Sequence, residues 1–207
     1  MQKKILNSQK GYNLAARDYD KRESYLNSFE RDVVWNLVGE VDGKKVLDVG
    51  AGTGRLAIDL VKRGAIVTAL DTSDEMLKVL DKKTKTKIKI RNFLQIVVGE
   101  AESLSFPDES FDLVIATFLI VHLKDPRRFF DEVYRVLKPG GKFLVTNINQ
   151  RRPPEIKTKE GIIEIESYYH QPEKIKEILE DLAFGIEKEV FVREGGTWIN
   201  QIVLGVK

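Results

Sequence analysis

Five short apolar runs, Val46–Val49, Ala65–Leu70, Leu94–Val98, Leu113–Ala116 and Lys142–Thr146, alternate with stretches of helical periodicity. Each run is nearly continuous in apolar residues, as a strand must be when helices cover both of its faces. The segments between the runs carry helical punctuation, so each can serve as a crossover between parallel strands. This pattern restricts the middle of the chain to an α/β parallel sheet.

The punctuation between the runs fixes the helices. Leu56, Leu60 and Val61 form a stripe that stops at Gly64, a C′ residue. Thr72 and Glu75 have capping-box spacing ahead of Met76, Leu77 and Leu80. Asp125 and Pro126 read as N-cap and N1 of a helix that buries Phe130, Val133 and Leu137 and ends before Pro139-Gly140-Gly141. Pro172 opens a helix with Ile175, Ile178, Leu179 and Leu182 on one face. Residues 8–38 read as helical, with Leu26, Phe29, Val33 and Leu37 on one stripe. Ile186–Val192 and Trp198–Val206 flank Gly195-Gly196 as an antiparallel hairpin. An irregular stretch from Asn147 to Glu160 leads into an additional element at Ile162–Tyr169.

Composition bounds the chemistry. Hydrophobic residues make up 42% of the 207, enough for a sizeable core, and the net charge of +2 calls for neither nucleic acid nor an anionic membrane. The chain has no cysteine, which excludes disulfides, thiolate metal sites and cysteine nucleophiles, and its two histidines leave little for a metal centre. The basic N-terminus lacks an apolar signal-peptide core, and no run approaches the ~18 apolar residues of a membrane span. A soluble, cytoplasmic protein is the expectation.

The sharpest motif is Val46-Leu47-Asp48-Val49-Gly50-Ala51-Gly52-Thr53-Gly54. Glycines at alternate positions after a buried strand let a ligand approach the backbone at a helix start with unpaired N–H groups. A dinucleotide fingerprint needs a small residue at position 55, where this chain has Arg55, and the G-K-[ST] of a Walker loop is absent. The loop therefore suits a ligand with a charged amino-acid end better than a pyrophosphate. Asp48, near the end of a buried strand, must be paired or face a cleft; it either holds the loop through backbone N–H groups or faces a cationic ligand. Asp71, 17 residues past Gly54, ends the second strand, where an acid can accept both hydroxyls of a ribose or cap the following helix.

These residues resemble the class I S-adenosylmethionine-dependent methyltransferases, in particular their small-molecule group. The resemblance covers about residues 12–146 and rests on VLDVGAGTG at 46–54, LDTSDEML at 70–77, GEAESLSFPDESFDLV at 99–114 and VYRVLKPGGKFLVT at 133–146. It implies a three-layer, Rossmann-like, seven-stranded and mostly parallel sheet with a C-terminal antiparallel hairpin. It also implies one methyltransferase domain over 1–207, comprising an N-terminal helical cover (1–42), a cofactor-binding half (43–146) and a C-terminal half with a small insertion (147–207). The implied cofactor is S-adenosylmethionine, with S-adenosylhomocysteine as product and no metal. In the family the loop at Gly50–Gly54 wraps the methionine part, the acid matching Asp71 holds the ribose, and the residue matching Met76 lies against adenine. The acid matching Glu100 bonds the adenine amino group, usually as Asp, and the Ala101 N–H serves a ring nitrogen. The implied cofactor set is Asp48, Gly50, Ala51, Gly52, Gly54, Asp71, Thr72, Met76, Glu100, Ala101, Glu102 and Thr117.

The acceptor side is less determined. Residues 116–123 lack the N-P-P-Y or D-P-P-Y run of amino-methylating nucleic-acid enzymes, and many small-molecule relatives have two histidines where this chain has Val121 and His122. Tyr12, Tyr19, His122 and Tyr168 are the candidate acceptor contacts, with Tyr19 and His122 as candidate bases; Tyr169 and His170 could line the same pocket. The expected partner is a small-molecule methyl acceptor, reached by a monomer or homodimer. Alternatives are an RNA acceptor drawn by the basic run Lys82–Arg91, which has no interleaved aromatic, and a non-catalytic, methyltransferase-like partner subunit.

Overall fold

A computed structural model describes residues 4–158 and 161–207. In chain order it comprises β1 (Lys4–Leu6), α1 (Ser8–Ala15), a 3-10 helix (Ala16–Arg22), α2 (Glu23–Val38), β2 (Lys45–Val49), α3 (Arg55–Lys62), β3 (Ile66–Asp71), α4 (Asp74–Thr84) and α5 (Ile88–Arg91). There follow β4 (Leu94–Val98), β5 (Phe111–Ala116), a 3-10 turn (Ile120–His122), α6 (Arg127–Val136), β6 (Leu137–Ile148), β7 (Glu155–Thr158), β8 (Gly161–Ile165), α7 (Pro172–Asp181), β9 (Gly185–Glu194) and β10 (Thr197–Val206).

The central sheet has seven strands in the order β4-β3-β2-β5-β6-β10-β9. Pairing is parallel from β4 to β6, and β10 runs antiparallel to both β6 and β9. Chain order reverses between β2 and β5, because β3 lies on one side of β2 and β5 on the other. The cleft opens at this switch point, beyond the carboxyl ends of the strands.

The two faces of the sheet carry separate cores. Val46, Leu56, Leu60, Leu80, Ile115 and Leu144 belong to one. Leu47, Val49, Phe129, Phe130, Phe143 and Leu179 belong to the other. Adjacent residues of β2 thus go to opposite layers with the strand period of two, which explains why its sequence is apolar without alternation. Burial of a leucine or phenylalanine in either layer contributes about 1.5–3 kcal/mol.

Several sequence expectations are corrected. The first 42 residues are not a purely helical cover: β1 pairs in parallel with β8, and β8 with β7, as a separate three-stranded sheet. Among the described residues of α2 the buried positions are Glu30, Val34 and Val38, one residue round from the expected stripe, whose members are half-buried. Trp35 is occupied by the Arg63 guanidinium, 4.2 Å from its ring centroid. Pro139-Gly140-Gly141 lies inside β6, because Leu137 already pairs with Phe111 before a register break that resumes at Leu113–Lys142. The expected element at Ile162–Tyr169 is β8 and ends at Ile165, its first turn back being the irregular stretch in which β7 forms; residues 159 and 160 of that stretch lie outside the described residues. The basic run between Lys82 and Arg91 holds the end of α4 and the single turn of α5.

Candidate functional site

The site is built where β2 turns into α3. Gly50 N and Ala51 N donate to the Leu70 carbonyl at 2.8 and 3.0 Å, so the end of β3 anchors the loop. Gly52 N donates to Asp71 Oδ2 at 2.8 Å. At Gly52 the backbone is left-handed, with φ of +54°, and an added Cβ would meet nothing within 4 Å, because it would point into open space. Gly54 has a different reason to be glycine: a Cβ there would run into the Leu80 side chain.

Asp71 closes β3 and organises the next turn. Its Oδ1 accepts from Ser73 N at 2.8 Å, and Ser73 caps α4 by accepting from Met76 N at 3.2 Å. The cap is therefore Ser73 and not Thr72, one residue later than the capping-box spacing implied. Burial pushes the Asp71 carboxyl above its ordinary value, while the N–H groups of Ser73, Gly52 and Thr72 pull it back. Each oxygen retains acceptor capacity.

Asp48 is only 2% exposed, and its Oδ2 is buried without a hydrogen-bond partner. Burial pushes its pKa up to about 7, against the nearby positive charge of Arg55 and a bond from Ala57 N–H; the charges of Asp71 and Glu30 push it further up.

Arg55 proved to be more than the residue that breaks a dinucleotide motif. Its guanidinium donates to Glu30 Oε2 at 2.7 Å, to Thr117 Oγ1 at 3.1 Å and to Asn27 Oδ1 at 3.3 Å. It also lies 5.5 Å from the ring centroid of Phe118. Glu30 is buried on α2, its carboxyl raised by desolvation and lowered by Arg55, Thr146 and Asn200. Phe118, with φ of +56°, holds a left-handed backbone that is costly for an aromatic residue, by about 1–3 kcal/mol. Its N–H is fixed by Thr146 Oγ1 at 2.9 Å.

The N-terminal segment is bolted across these loops. Gln9 Nε2 donates to the Thr72 carbonyl at 3.0 Å, and Ser73 Oγ donates to Asn13 Oδ1 at 2.6 Å. Thr53 Oγ1 donates to Asp20 Oδ1 at 2.5 Å, and Lys83 bridges Asp20 and the Thr53 carbonyl. Tyr12 packs edge-on against both Tyr19 and His122.

The result is a cleft of about 270 Å³ between the N-terminal segment and the strand ends. Asp48, Gly50, Ala51, Gly52, Asp71, Thr72, Met76, Glu100, Ala101, Glu102 and Thr117 all line it, as do Tyr12, Tyr19 and His122. Two expected residues do not. Gly54 is turned to Leu80, and Tyr168 lies away from the cleft, its hydroxyl donating to Glu166 Oε1 at 2.7 Å and its N–H to the Val121 carbonyl. His170 is committed to the scaffold, with Nε2 3.0 Å from the carbonyls of Ile120 and Leu123. Sequence reasoning missed Gln9, Phe118 and Leu119 in the lining and the Glu30–Arg55 pair beside it. Glu30 did leave a signal, being a charged residue at helical spacing from Val34 and Val38.

Residues 47–145 match the family model described as a methyltransferase domain. The chain is 34% identical over 149 residues to the demethylmenaquinone methyltransferase of Tropheryma whipplei, covering 69% of this chain and 59% of that protein. It thus spans about three fifths of that relative's length. Among solved structures, a SAM-dependent methyltransferase from Aquifex aeolicus superposes with a TM-score of 0.70 at 23% identity, over 97% of this chain and 99% of that one. Magnesium protoporphyrin IX methyltransferase from Synechocystis, crystallised with bound SAM, superposes with a TM-score of 0.69 at 20% identity over 91% and 82%. At these identities the structural likeness speaks to the fold alone.

Proposed function

We propose that the chain, whose residues 47–145 match a methyltransferase domain, is a class I S-adenosylmethionine-dependent enzyme that transfers a methyl group from S-adenosylmethionine to a small-molecule acceptor by in-line displacement. The observation that carries this reading is the charge of the cleft. Among the described residues its wall holds four carboxyl groups, Asp48, Asp71, Glu100 and Glu102, and one arginine, whose guanidinium is taken up by Glu30. Such a wall repels a diphosphate and attracts a ligand that carries a sulfonium and an ammonium group. The buried, partnerless Oδ2 of Asp48 and the open space at Gly52 fit the amino-acid end of that cofactor. Asp71 and Thr72 are assigned to the ribose, and Met76, Glu100, Ala101 and Glu102 to the adenine.

The cofactor supplies the methyl group and its leaving group in one cation. What the protein contributes is positioning. Holding an acceptor against the methyl in attack geometry can account for about 7–11 kcal/mol of barrier lowering. On the acceptor side Tyr12, Tyr19, Phe118, Leu119, His122 and Leu123 make an aromatic and apolar wall with few polar groups. That lining favours a flat, largely apolar small molecule.

The test is competitive calorimetry of S-adenosylhomocysteine against NAD, followed by labelled S-adenosylmethionine offered to metabolite, RNA and protein fractions of an extract. Tight binding of the homocysteine compound and label in the metabolite fraction are expected. Preference for NAD overturns the cofactor assignment. Label confined to RNA overturns the acceptor assignment.

A further inference from the structure

We propose that residues 85–93, together with Ile66, form a docking surface for an anionic lipid bilayer. Ile88 and Phe93 enter the headgroup layer, and the lysines around them meet the lipid phosphates. This surface lies at the end of the molecule opposite the cleft and stands independently of the methyl-transfer reading.

The sequence supplies the charge. Residues 82–91 hold six basic side chains and no acidic one, a local imbalance that the net charge of +2 conceals. Two of the six are engaged, Lys83 by Asp20 and Arg91 by Asp81. Among the described residues the ammonium groups of Lys82, Lys85, Lys87 and Lys89 have neither an ion pair nor a hydrogen bond, and all four side chains are exposed.

Apolar side chains stand among these lysines. Ile88 opens α5 and is 73% exposed, while Ile90, two residues on, is buried in the core. Phe93 follows α5 and is 49% exposed. Its carbonyl accepts from Val67 N at 2.8 Å, which sets it beside Ile66, itself 44% exposed. Ile66, Ile90 and Phe93 line one open groove with Lys62 and Lys89. The acid in that groove is Asp42, and Lys62 is held by Asp59 at 2.8 Å, so the free charge left over is positive. A single exposed apolar residue is ordinary. Here apolar side chains and unpaired cations occur together, and those are the two signals that reversible attachment to a charged bilayer requires.

Ile66 starts β3 and Phe93 immediately precedes β4, so the surface sits at the amino ends of the parallel strands. A protein docked there keeps the mouth of its cleft turned to the solution. Contact stays within the headgroup region, since among the described residues no helix is long and apolar enough to cross a membrane. The same ammonium groups could meet the phosphates of RNA, but the most exposed apolar side chain among them is aliphatic. Isoleucine offers a base no stacking face and gains by leaving water for the acyl boundary. A second copy would bring its own lysines against these, and like charges oppose that pairing.

The experiment uses the whole chain with vesicles of phosphatidylglycerol and phosphatidylcholine in equal parts, and with vesicles of phosphatidylcholine alone. Cosedimentation should show binding to the anionic vesicles at about 0.05 M salt, and binding at least about tenfold weaker at about 0.5 M salt or to the neutral vesicles. The triple variant Lys85→Gln, Lys87→Gln, Lys89→Gln should lose at least about tenfold in partition, because each lysine at an anionic surface counts for about fivefold. Ile88→Asp changes a side chain that the fold leaves exposed and should lose about tenfold as well. Because the chain has no cysteine, Ile88→Cys takes a single environment-sensitive dye, whose emission should shift to the blue with anionic vesicles. The same dye on Glu194→Cys, in the hairpin at the other edge of the sheet, should not shift. Equal binding to neutral and anionic vesicles, no binding at low salt, a triple variant that binds like the parent, or an unshifted dye at position 88 overturns the proposal. So does retention of polyuridine RNA in preference to the vesicles, or a dimer in sedimentation velocity that Ile88→Asp dissociates.

Discussion

Replacing Arg55 with Met tests the buried charge pair that braces the cleft. Glu30 has no exposed side-chain surface, and Arg55 keeps 12% of its own, so solvent does little to screen the 2.7 Å contact between them. Removing the guanidinium leaves a carboxylate inside the protein with, among the described residues, Thr146 and Asn200 to stabilise it, a situation that costs about 3–5 kcal/mol. For a chain of this size the loss corresponds to a Tm decrease of about 6–20 °C. The sign of the pH dependence follows from Glu30, whose carboxyl is already raised by burial and rises further without Arg55. The folded state then holds a proton that the unfolded state has released, so stability returns as pH falls and is lost as it rises above the ordinary glutamate value. Guanidinium unfolding of Arg55→Met and of the double variant with Glu30→Gln, at about pH 5 and about pH 8, reads both effects. The single variant should be much weaker at the higher pH, and Glu30→Gln should recover most of the loss. A cost under about 1 kcal/mol, or one equal at both pH values, refutes the reasoning.

Other outcomes follow from the same site. With Asp48 held at about 7, well above its ordinary 3.8, the folded state binds a proton that the unfolded state has lost, and stability should fall by about 3 kcal/mol as pH rises from about 4 to about 7. Asp48→Asn should flatten that slope in denaturant titrations across the range. Gly52→Ala should cost only about 1 kcal/mol of stability for its left-handed backbone, yet weaken S-adenosylhomocysteine binding at least tenfold by calorimetry, because its Cβ enters open cleft space. Gly54→Ala should do the reverse, lowering Tm through its collision with Leu80. Asp71→Ala should abolish cofactor binding, and by freeing Gly52 N and Ser73 N it should speed hydrogen exchange at those two amides.

The strand runs and the glycine loop were legible because they obey local rules: β4 runs over Leu94–Val98 as its apolar stretch indicated, and the hairpin turns at Gly195-Gly196. Most of the cleft lining was legible for the same reason, since its residues cluster in a few short motifs after strands. What was not legible depends on contacts distant in the chain. Glu30 meets Arg55 and Asn200 only in the folded state, and nothing near position 30 announces either partner. Tyr168 looked like a pocket residue by type, but its N–H bond to Val121 and its hydroxyl bond to Glu166 hold it elsewhere. The shift of the cap from Thr72 to Ser73 has a local cause visible only in three dimensions: Asp71 accepts from Ser73 N and sets the chain one residue further before α4 begins.

The pairing of β1 with β8 has a consequence for biosynthesis. Lys4 finds its partner at Ile163, so β1 has to wait for a strand made more than 150 residues later. At about 5–20 residues per second that delay is about 8–30 s, long enough for the parallel strands β2 to β6 to pair first. The β1 end of the N-terminal segment is therefore fastened well after the glycine loop has formed, while Gln9, Asn13 and Asp20 can already be held by residues 53–83.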